Sequence, residues 1–470
     1  MPVFDKNIEA LRKRYPFIVE EVMEIEPDPS KYQVETASSG LKTLRVVQDL
    51  QFDSIKFYMH SKYNPVSEAE NFAKEQYKIE TVVHILYGFG MGYHINEICR
   101  LMKPESKLYI LENNINVFHK AIEERDLTDI FTNPGIELII SGDAGKIANS
   151  VKSLINDGIN FIIHPASLKA IPSENEYFRF VMENWNIKKS ISEDYLKLID
   201  DNLKSNLQGV NPNVGVFFEK FKGIPVVIVS TGPSLDKNID LLKEVKGKVL
   251  IFAVGSALRP LLVRNIVPDL FIIIDPKKET LNQIKGFEDI EIPMIYLSSI
   301  YPGTVSSYKG PKFIACYEKG QLTTGKDNYL IDPGGSVSTA ALDIAIKMGC
   351  STIILVGQDL AFIDGKNHAK HGTDLDINTP ELKSMRRVRG QNGEMLFTTL
   401  GLLSYKYWIE KRIEKENRQF INASEGGAII NGMKHIKLKD VITDYLKESF
   451  NIKQRIKTIL EESGNAHVQE

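Results

Sequence analysis

The chain has 470 residues, 43% hydrophobic and 25% charged, close to ordinary folded soluble proteins and far from disordered, collagen-like or disulfide-scaffold compositions; the length predicts about three domains. Its 58 Lys and Arg against 61 Asp and Glu leave a net charge of -3, which gives no overall attraction for nucleic acid or an anionic membrane, so any polyanion site is local. Cys99, Cys316 and Cys350 lie far apart without metal-ligand spacing, and no window of the sequence is apolar enough for a membrane span, so a reducing, cytoplasmic setting is expected.

Residues 1–75 mix short helical patterns with strand-like pieces, LKTLRVV and DSIKFYMH, and form a lead-in module. From Thr81 the pattern sharpens into a βαβ unit: the apolar run TVVHILY, the turn Gly88-Phe89-Gly90-Met91-Gly92, the helix-like YHINEICRLM and a second strand KLYILE ending at Glu112. IELIIS (136–141) and NFIIHP (160–165) fit later strands of the same sheet, and the charged, helix-spaced ISEDYLKLIDDNLKSNL closes a Rossmann-like α/β domain at 76–209 as a linker helix.

Residues 210–438 alternate strands and helices more regularly, with apolar runs at 225–230, 248–254, 270–274, 293–297, 312–316 and 352–356. Continuous apolar runs suit parallel strands covered on both faces, which predicts a doubly wound sheet. A polar insertion at 361–397 follows, then the long helix TLGLLSYKYWIEKRIEKE, the apolar FINA, the turn EGGAIING and a helical segment at 439–462 before a loose tail. The fold class is therefore α/β: a central doubly wound Rossmann-like parallel sheet, preceded by a smaller α/β domain and followed by C-terminal helices at 439–470.

In an open parallel sheet the ligand crevice lies beyond the carboxyl ends of the strands. The residues found there are Thr231-Gly232-Pro233-Ser234, Gly255-Ser256, Asp275, Ser298-Ser299 and Gly357-Gln358-Asp359, while Gly334-Gly335-Ser336 opens a helix before the last strand. In TGPSLDKN, Gly232 admits close approach of a ligand to the backbone and Ser234 is placed to cap a helix starting near Leu235, whose N-terminus favours a phosphate. A plain strand-to-helix turn explains the same residues. The Gly-Lys-Ser/Thr ending of a Walker loop is absent. Gly334, Gly335, Ser336 and Thr339 offer a second set of donors at a helix start, or simply a tight turn.

Asp359 stands two residues past a buried strand, and His368 and His371 follow in GKNHAKHGTD; a carboxylate and imidazoles are reagents for general acid–base chemistry. His368, His371 and Asp374 also fall at metal-like spacing, and solvated loop histidines are the third reading. Gly88, Gly90 and Gly92 with Glu112 resemble a nucleotide or S-adenosylmethionine fingerprint, or a purely structural unit of the same shape.

The runs IPVVIVSTGPSLDKNIDLLKE, ALRPLLVRNIVPDLFIIIDP, GGSVSTAALDIAIKMGCSTIILVGQDLAF and NASEGGAIINGMKHI, in that order, resemble the motility-associated factor family of bacterial flagellin glycosyltransferases. Their core is similar to bacterial sialyltransferases that use CMP-sialic acid, whose donor loop also reads Gly-Pro-Ser-Leu. The resemblance implies transfer of a pseudaminic or legionaminic acid from its CMP-activated form to Ser or Thr of flagellin. Together with the strand-end reading, this places the donor at Thr231, Gly232, Pro233, Ser234, Ser256, Asp275, Ser298, Gly334, Gly335, Ser336, Thr339, Gln358 and Glu425. The base it implies is His368, with His371 and Asp359 as runners-up. No cofactor or resident metal is expected, since CMP leaves from a single phosphodiester and no Asp-x-Asp follows a strand. Competing readings are a pterin pyrophosphokinase using ATP and Mg²⁺, a non-catalytic flagellin-binding assembly protein, and a methyltransferase in the N-terminal unit.

Overall fold

The computed structural model describes residues 1–50, 53–154, 158–189, 192–209, 211–318, 321, 329–366 and 385–464. It forms two compact units, Met1–Ser190 and Ile191–Glu470. Among the described residues no helix is long and apolar enough to cross a membrane.

In the first unit a parallel sheet has the spatial order Ile136–Ile140, Lys107–Glu112, Val83–Tyr87, Ile159–Ile163. The chain steps outward from Val83–Tyr87 in one direction and returns on its other side, so Tyr87 pairs with Ile163 across a topological switch point. A three-stranded antiparallel sheet, Tyr32–Thr36, Lys42–Leu50 and Asp53–Tyr58, lies earlier in the chain. The stretch read as a lead-in module shares its core with the parallel sheet, since Leu11, Val22, Leu44 and Val46 pack in one cluster with Leu108, Ile110 and Phe118. Asn7 ties the ends together: its amide donates to the carbonyls of Ile122 (2.7 Å) and Arg125 (2.6 Å), and its oxygen accepts from the Leu127 N–H (2.9 Å).

The second unit is built on eight parallel strands in the order Lys312–Ala315, Met294–Leu297, Leu270–Ile273, Leu250–Val254, Val226–Val229, Thr352–Val356, Gln419–Asn422, Lys434–His435. The six strands expected from apolar runs are all present, and four of them are buried at every position, as strands covered on both faces must be. The sheet starts in its middle at Val226–Val229, winds out to Lys312–Ala315, then returns to the other side of its first strand. Val229 lies opposite Val356 in this central pair. That pair is the switch point, where a doubly wound sheet opens its ligand crevice.

Two helical expectations change. The segment Glu193–Leu207, read as a linker, falls within the second unit. The helix expected at 439–462 is two helices, Leu438–Asp444 and Ile452–Glu462, because Asn451 starts the second one by accepting the Gln454 N–H at 3.2 Å. Residues of the polar insertion add an antiparallel hairpin, Arg386–Arg389 with Met395–Thr398.

Candidate active site

At the switch point the loops after Val226–Val229 and Thr352–Val356 are bound to each other. The Gly232 N–H donates to the Gly357 carbonyl at 2.7 Å, and the Ser230 hydroxyl donates to Gln358 Oε1 at 2.8 Å. Asp359 completes the clamp. Its Oδ2 accepts the Ser234 N–H at 2.8 Å and its Oδ1 accepts the Ser234 hydroxyl. A Cβ on Gly232 would meet Asp359 Oδ2 at 2.5 Å and the Gly357 carbonyl at 2.6 Å, distances no real Cβ tolerates, so glycine is required by this close approach rather than by its dihedrals.

Ser234 therefore does not cap a helix. Its hydroxyl makes no cap bond, and the segment that follows is only four α residues, Leu235–Asn238, continued as a 3-10 turn, Ile239–Lys243. A helix that short gives little dipole for a phosphate. Burial, at 2% exposure, pushes the Asp359 carboxyl up to about 6 against the opposing pull of its Ser234 bonds and of Lys237.

Around this clamp the expected donor residues divide by accessibility. Gly232, Pro233, Ser256, Asp275, Gly334, Ser336 and Glu425 are partly exposed and Gly335 is exposed, while Thr231, Ser234, Ser298, Thr339, Gln358 and Asp359 are buried. The Thr231 and Ser256 hydroxyls lie 2.8 Å apart, one at the floor and one at the rim of the same crevice. Ser298 donates to Gln321 Oε1 at 2.8 Å and is fully buried, so it forms wall rather than rim. Glu425 adopts positive φ (58°), and its Oε1 accepts from the Leu438 N–H (3.2 Å) and the Asn238 amide (3.4 Å). His368, His371 and Asp374 lie outside the described residues.

The second glycine turn also acquires a role. Ser336 caps the helix Val337–Lys347 in a capping box with Thr339: the Thr339 N–H donates to Ser336 Oγ (3.2 Å) and the Ser336 N–H to Thr339 Oγ1 (2.9 Å). This helix packs on Val226–Val229, Leu250–Val254, Leu270–Ile273 and Thr352–Val356. Because helices between parallel strands run against them, its start lies at the same carboxyl edge as the clamp. The turn before it is anchored by buried Asp343, which accepts the Asp332 N–H (2.8 Å) and pairs with Arg412 (2.8 Å). Gly334 sits so close to Trp408 that an added Cβ would lie 2.5 Å from the indole.

Several contributors escaped sequence reasoning. Asn202 and Asn206, four residues apart on one helix face, donate to the carbonyls of Pro276 (2.8 Å), Ser299 (3.2 Å), Ser298 (2.9 Å) and Ile300 (2.8 Å), fixing two strand-end loops. The helix spacing N-x-x-x-N was the available signal. Burial raises the Tyr195 and Tyr405 phenols, with smaller contributions from the Asp275 charge and, at Tyr405, from Tyr195.

In the first unit Glu112 does not face a ligand. Its carboxylate accepts the Phe89 N–H at 2.9 Å and the Asn114 N–H at 2.8 Å, and complete burial pushes it up to about 7. Of the two readings of this unit the geometry agrees with the structural one, the carboxylate closing its own glycine loop. Gly88 and Gly90 are required by packing instead: a Cβ on Gly88 would meet Ser167 Cβ at 2.4 Å, and one on Gly90 would meet His60 Nε2 at 2.8 Å.

Fold and site together define a doubly wound α/β protein with its crevice at the topological switch point. Residues 198–365 match the family model described as 6-hydroxymethylpterin diphosphokinase MptE-like. The chain is similar in structure to the Maf glycosyltransferase from Magnetospirillum magneticum AMB-1, with TM-score 0.52 and 15% identity over 98% of this chain and 78% of that one. At that identity the likeness is one of fold, and it bears out the fold class and the resemblance to the motility-associated factor glycosyltransferases. Among curated proteins nothing matches.

Proposed function

We propose that the chain is a glycosyltransferase that moves a pseudaminic or legionaminic acid from its CMP-activated form to Ser or Thr of flagellin in the cytoplasm, serving flagellum assembly and motility. The observation that carries this reading is the Ser234–Asp359 clamp, which joins the two strand-end loops at the switch point of a fold shared with a Maf glycosyltransferase. Departure of CMP from a tertiary anomeric carbon gives an oxocarbenium-like transition state, so the site must stabilise a leaving phosphate and accept a proton from the incoming hydroxyl. The Thr231–Ser256 hydroxyl pair and the Gly334–Ser336 turn supply hydrogen-bonding groups to the nucleotide, Gly232 keeps the loop free of a side chain beside them, and Asp275 lines the same crevice. In this reading His368 is the base, with His371 and Asp359 its rivals, and Asp359, bonded through both oxygens to Ser234, also positions the loop. No divalent metal is needed at this crevice.

The test is transfer itself: purified chain, flagellin and each CMP-activated nonulosonic acid, followed by intact mass of the flagellin. One added sugar mass per modified hydroxyl is expected. Unmodified flagellin, with AMP released from ATP and Mg²⁺ in the presence of a hydroxymethylpterin, would replace this reading with the diphosphokinase.

A further inference from the structure

The switch-point rule that locates the crevice of the second unit has a counterpart in the first. Val83–Tyr87 and Ile159–Ile163 are the pair at which that sheet reverses its winding. The loop Gly88–Gly92 follows one of these strands and His164 follows the other. Three buried imidazoles, His60, His94 and His164, meet there, each offering a nitrogen within 4.8 Å of the others. His94 and His164 stack at 4.2 Å and His60 and His164 at 5.0 Å between ring centres.

The hydrogen bonds fix which nitrogens carry lone pairs. His94 Nε2 faces the Gly88 carbonyl at 2.9 Å, so it bears the proton, and the buried Nδ1 is left with a lone pair and no partner. His60 Nε2 accepts the Met91 N–H at 3.1 Å, so its Nδ1 bears the proton and points at Glu68 Oε2, 3.4 Å away. A carboxylate behind an imidazole is how metal-ligating histidines are oriented. His164 Nδ1 is engaged with Ser167 at 2.9 Å, which leaves its Nε2 as the remaining ring nitrogen. Burial holds all three rings below their ordinary titration range, in the neutral form a metal requires. A cavity of about 280 Å³, lined by these histidines with Glu68, Phe72 and Lys169, gives access. Opposing a cation is the Arg125 guanidinium, stacked 3.6 Å over Tyr93, and the Glu68 carboxylate offsets it.

We propose that His60, His94 and His164 form a binding site for a divalent transition metal, Zn²⁺ being the ion best suited to three neutral imidazoles and an open fourth position. Zn–N bonds of about 2.0–2.1 Å in tetrahedral geometry place ligand nitrogens about 3.4 Å apart, so the cluster contracts by about 1.4 Å at most and the ion displaces the Met91 N–H from His60. Gly90 is explained by the same site, because a Cβ there would crowd His60 Nε2 at 2.8 Å and the His94 and His164 rings at 3.3 and 3.4 Å.

The test uses the full chain and the metal alone. Zn²⁺ content after gel filtration, Zn²⁺ titration calorimetry and the visible spectrum with Co²⁺ are expected to show one ion per chain in a four-coordinate site. His94→Ala and His164→Ala should each weaken Zn²⁺ binding by at least about 100-fold, and Glu68→Gln, which keeps all three ligands and lies partly in solvent, by about 10- to 100-fold. No stoichiometric uptake by the unmodified chain would overturn the proposal. So would uptake that Glu68→Gln and the histidine variants leave within about threefold, since the ion would then sit elsewhere. Glu68→Gln decides the matter if a histidine variant fails to fold.

Discussion

Asp359→Asn separates the stability of the clamp from its chemistry. The carboxyl is ordinarily at 3.8 and is held at about 6 in the folded chain, a difference worth about 3 kcal/mol at 1.36 kcal/mol for each factor of ten in acidity. Between those two values the folded state binds more protons than the unfolded one, so stability falls as pH rises from about 4 to about 6, and the cost is fully present above that window. Asn imitates the protonated carboxyl: its oxygen accepts the Ser234 N–H and its amide donates to the Ser234 hydroxyl. The variant should therefore match the parent near pH 4 and exceed it by about 2–3 kcal/mol at pH 7.5, a rise of several degrees in Tm for a unit of this size. Thermal unfolding of both proteins across pH 4–8 reads the difference directly and cancels every other titrating group. Because the loops stay joined, sugar transfer should remain within about tenfold. A Tm difference that does not change with pH would refute the burial of an ionised Asp359, and a loss of transfer beyond about 100-fold would make Asp359 itself the base.

Gly232→Ala should force the two loops apart, costing about 1–3 kcal/mol and weakening CMP binding at least about tenfold by calorimetry; unchanged affinity would mean the loop does not touch the nucleotide. Asp343→Ala removes one of the two carboxylates of Arg412, which keeps Glu416, and leaves the Asp332 N–H without its acceptor, and should cost about 1–3 kcal/mol, seen as a lowered Tm together with weaker CMP binding through the Asp332–Gly335 turn. His368→Ala and His371→Ala, separately and together, distinguish the base: about 100- to 10,000-fold loss of transfer is expected for the one that takes the proton, and transfer within about threefold in the double variant would place the base elsewhere.

The central strands of the second sheet were legible because they are uninterrupted apolar runs, VVIV or LFII, buried on both faces, whereas the edge strand Lys434–His435, short, polar and exposed, gave no such signal. Reading the strand ends also found both halves of the clamp. What it missed was their pairing: Ser234 looks like a cap from its neighbours alone, yet its hydroxyl bonds a carboxylate 125 residues away. At Glu112 the spacing from Gly88 left a ribose contact and a purely structural unit both open, and the carboxylate's return to its own loop agrees with the structural one. His60, His94 and His164 were invisible because they come from three elements and no local spacing joins them. Applying the strand-end rule to the first sheet would have reached His164 beside Gly88, one of the three ligands of that site.

The most direct measurement of the central claim is calorimetric titration of the purified chain with CMP, with and without Mg²⁺, repeated for Ser256→Trp, a substitution at the partly exposed rim that leaves the buried clamp intact. Binding of CMP that is independent of Mg²⁺ and abolished by the tryptophan is expected. Binding of ATP that requires Mg²⁺, with none of CMP, would contradict that claim.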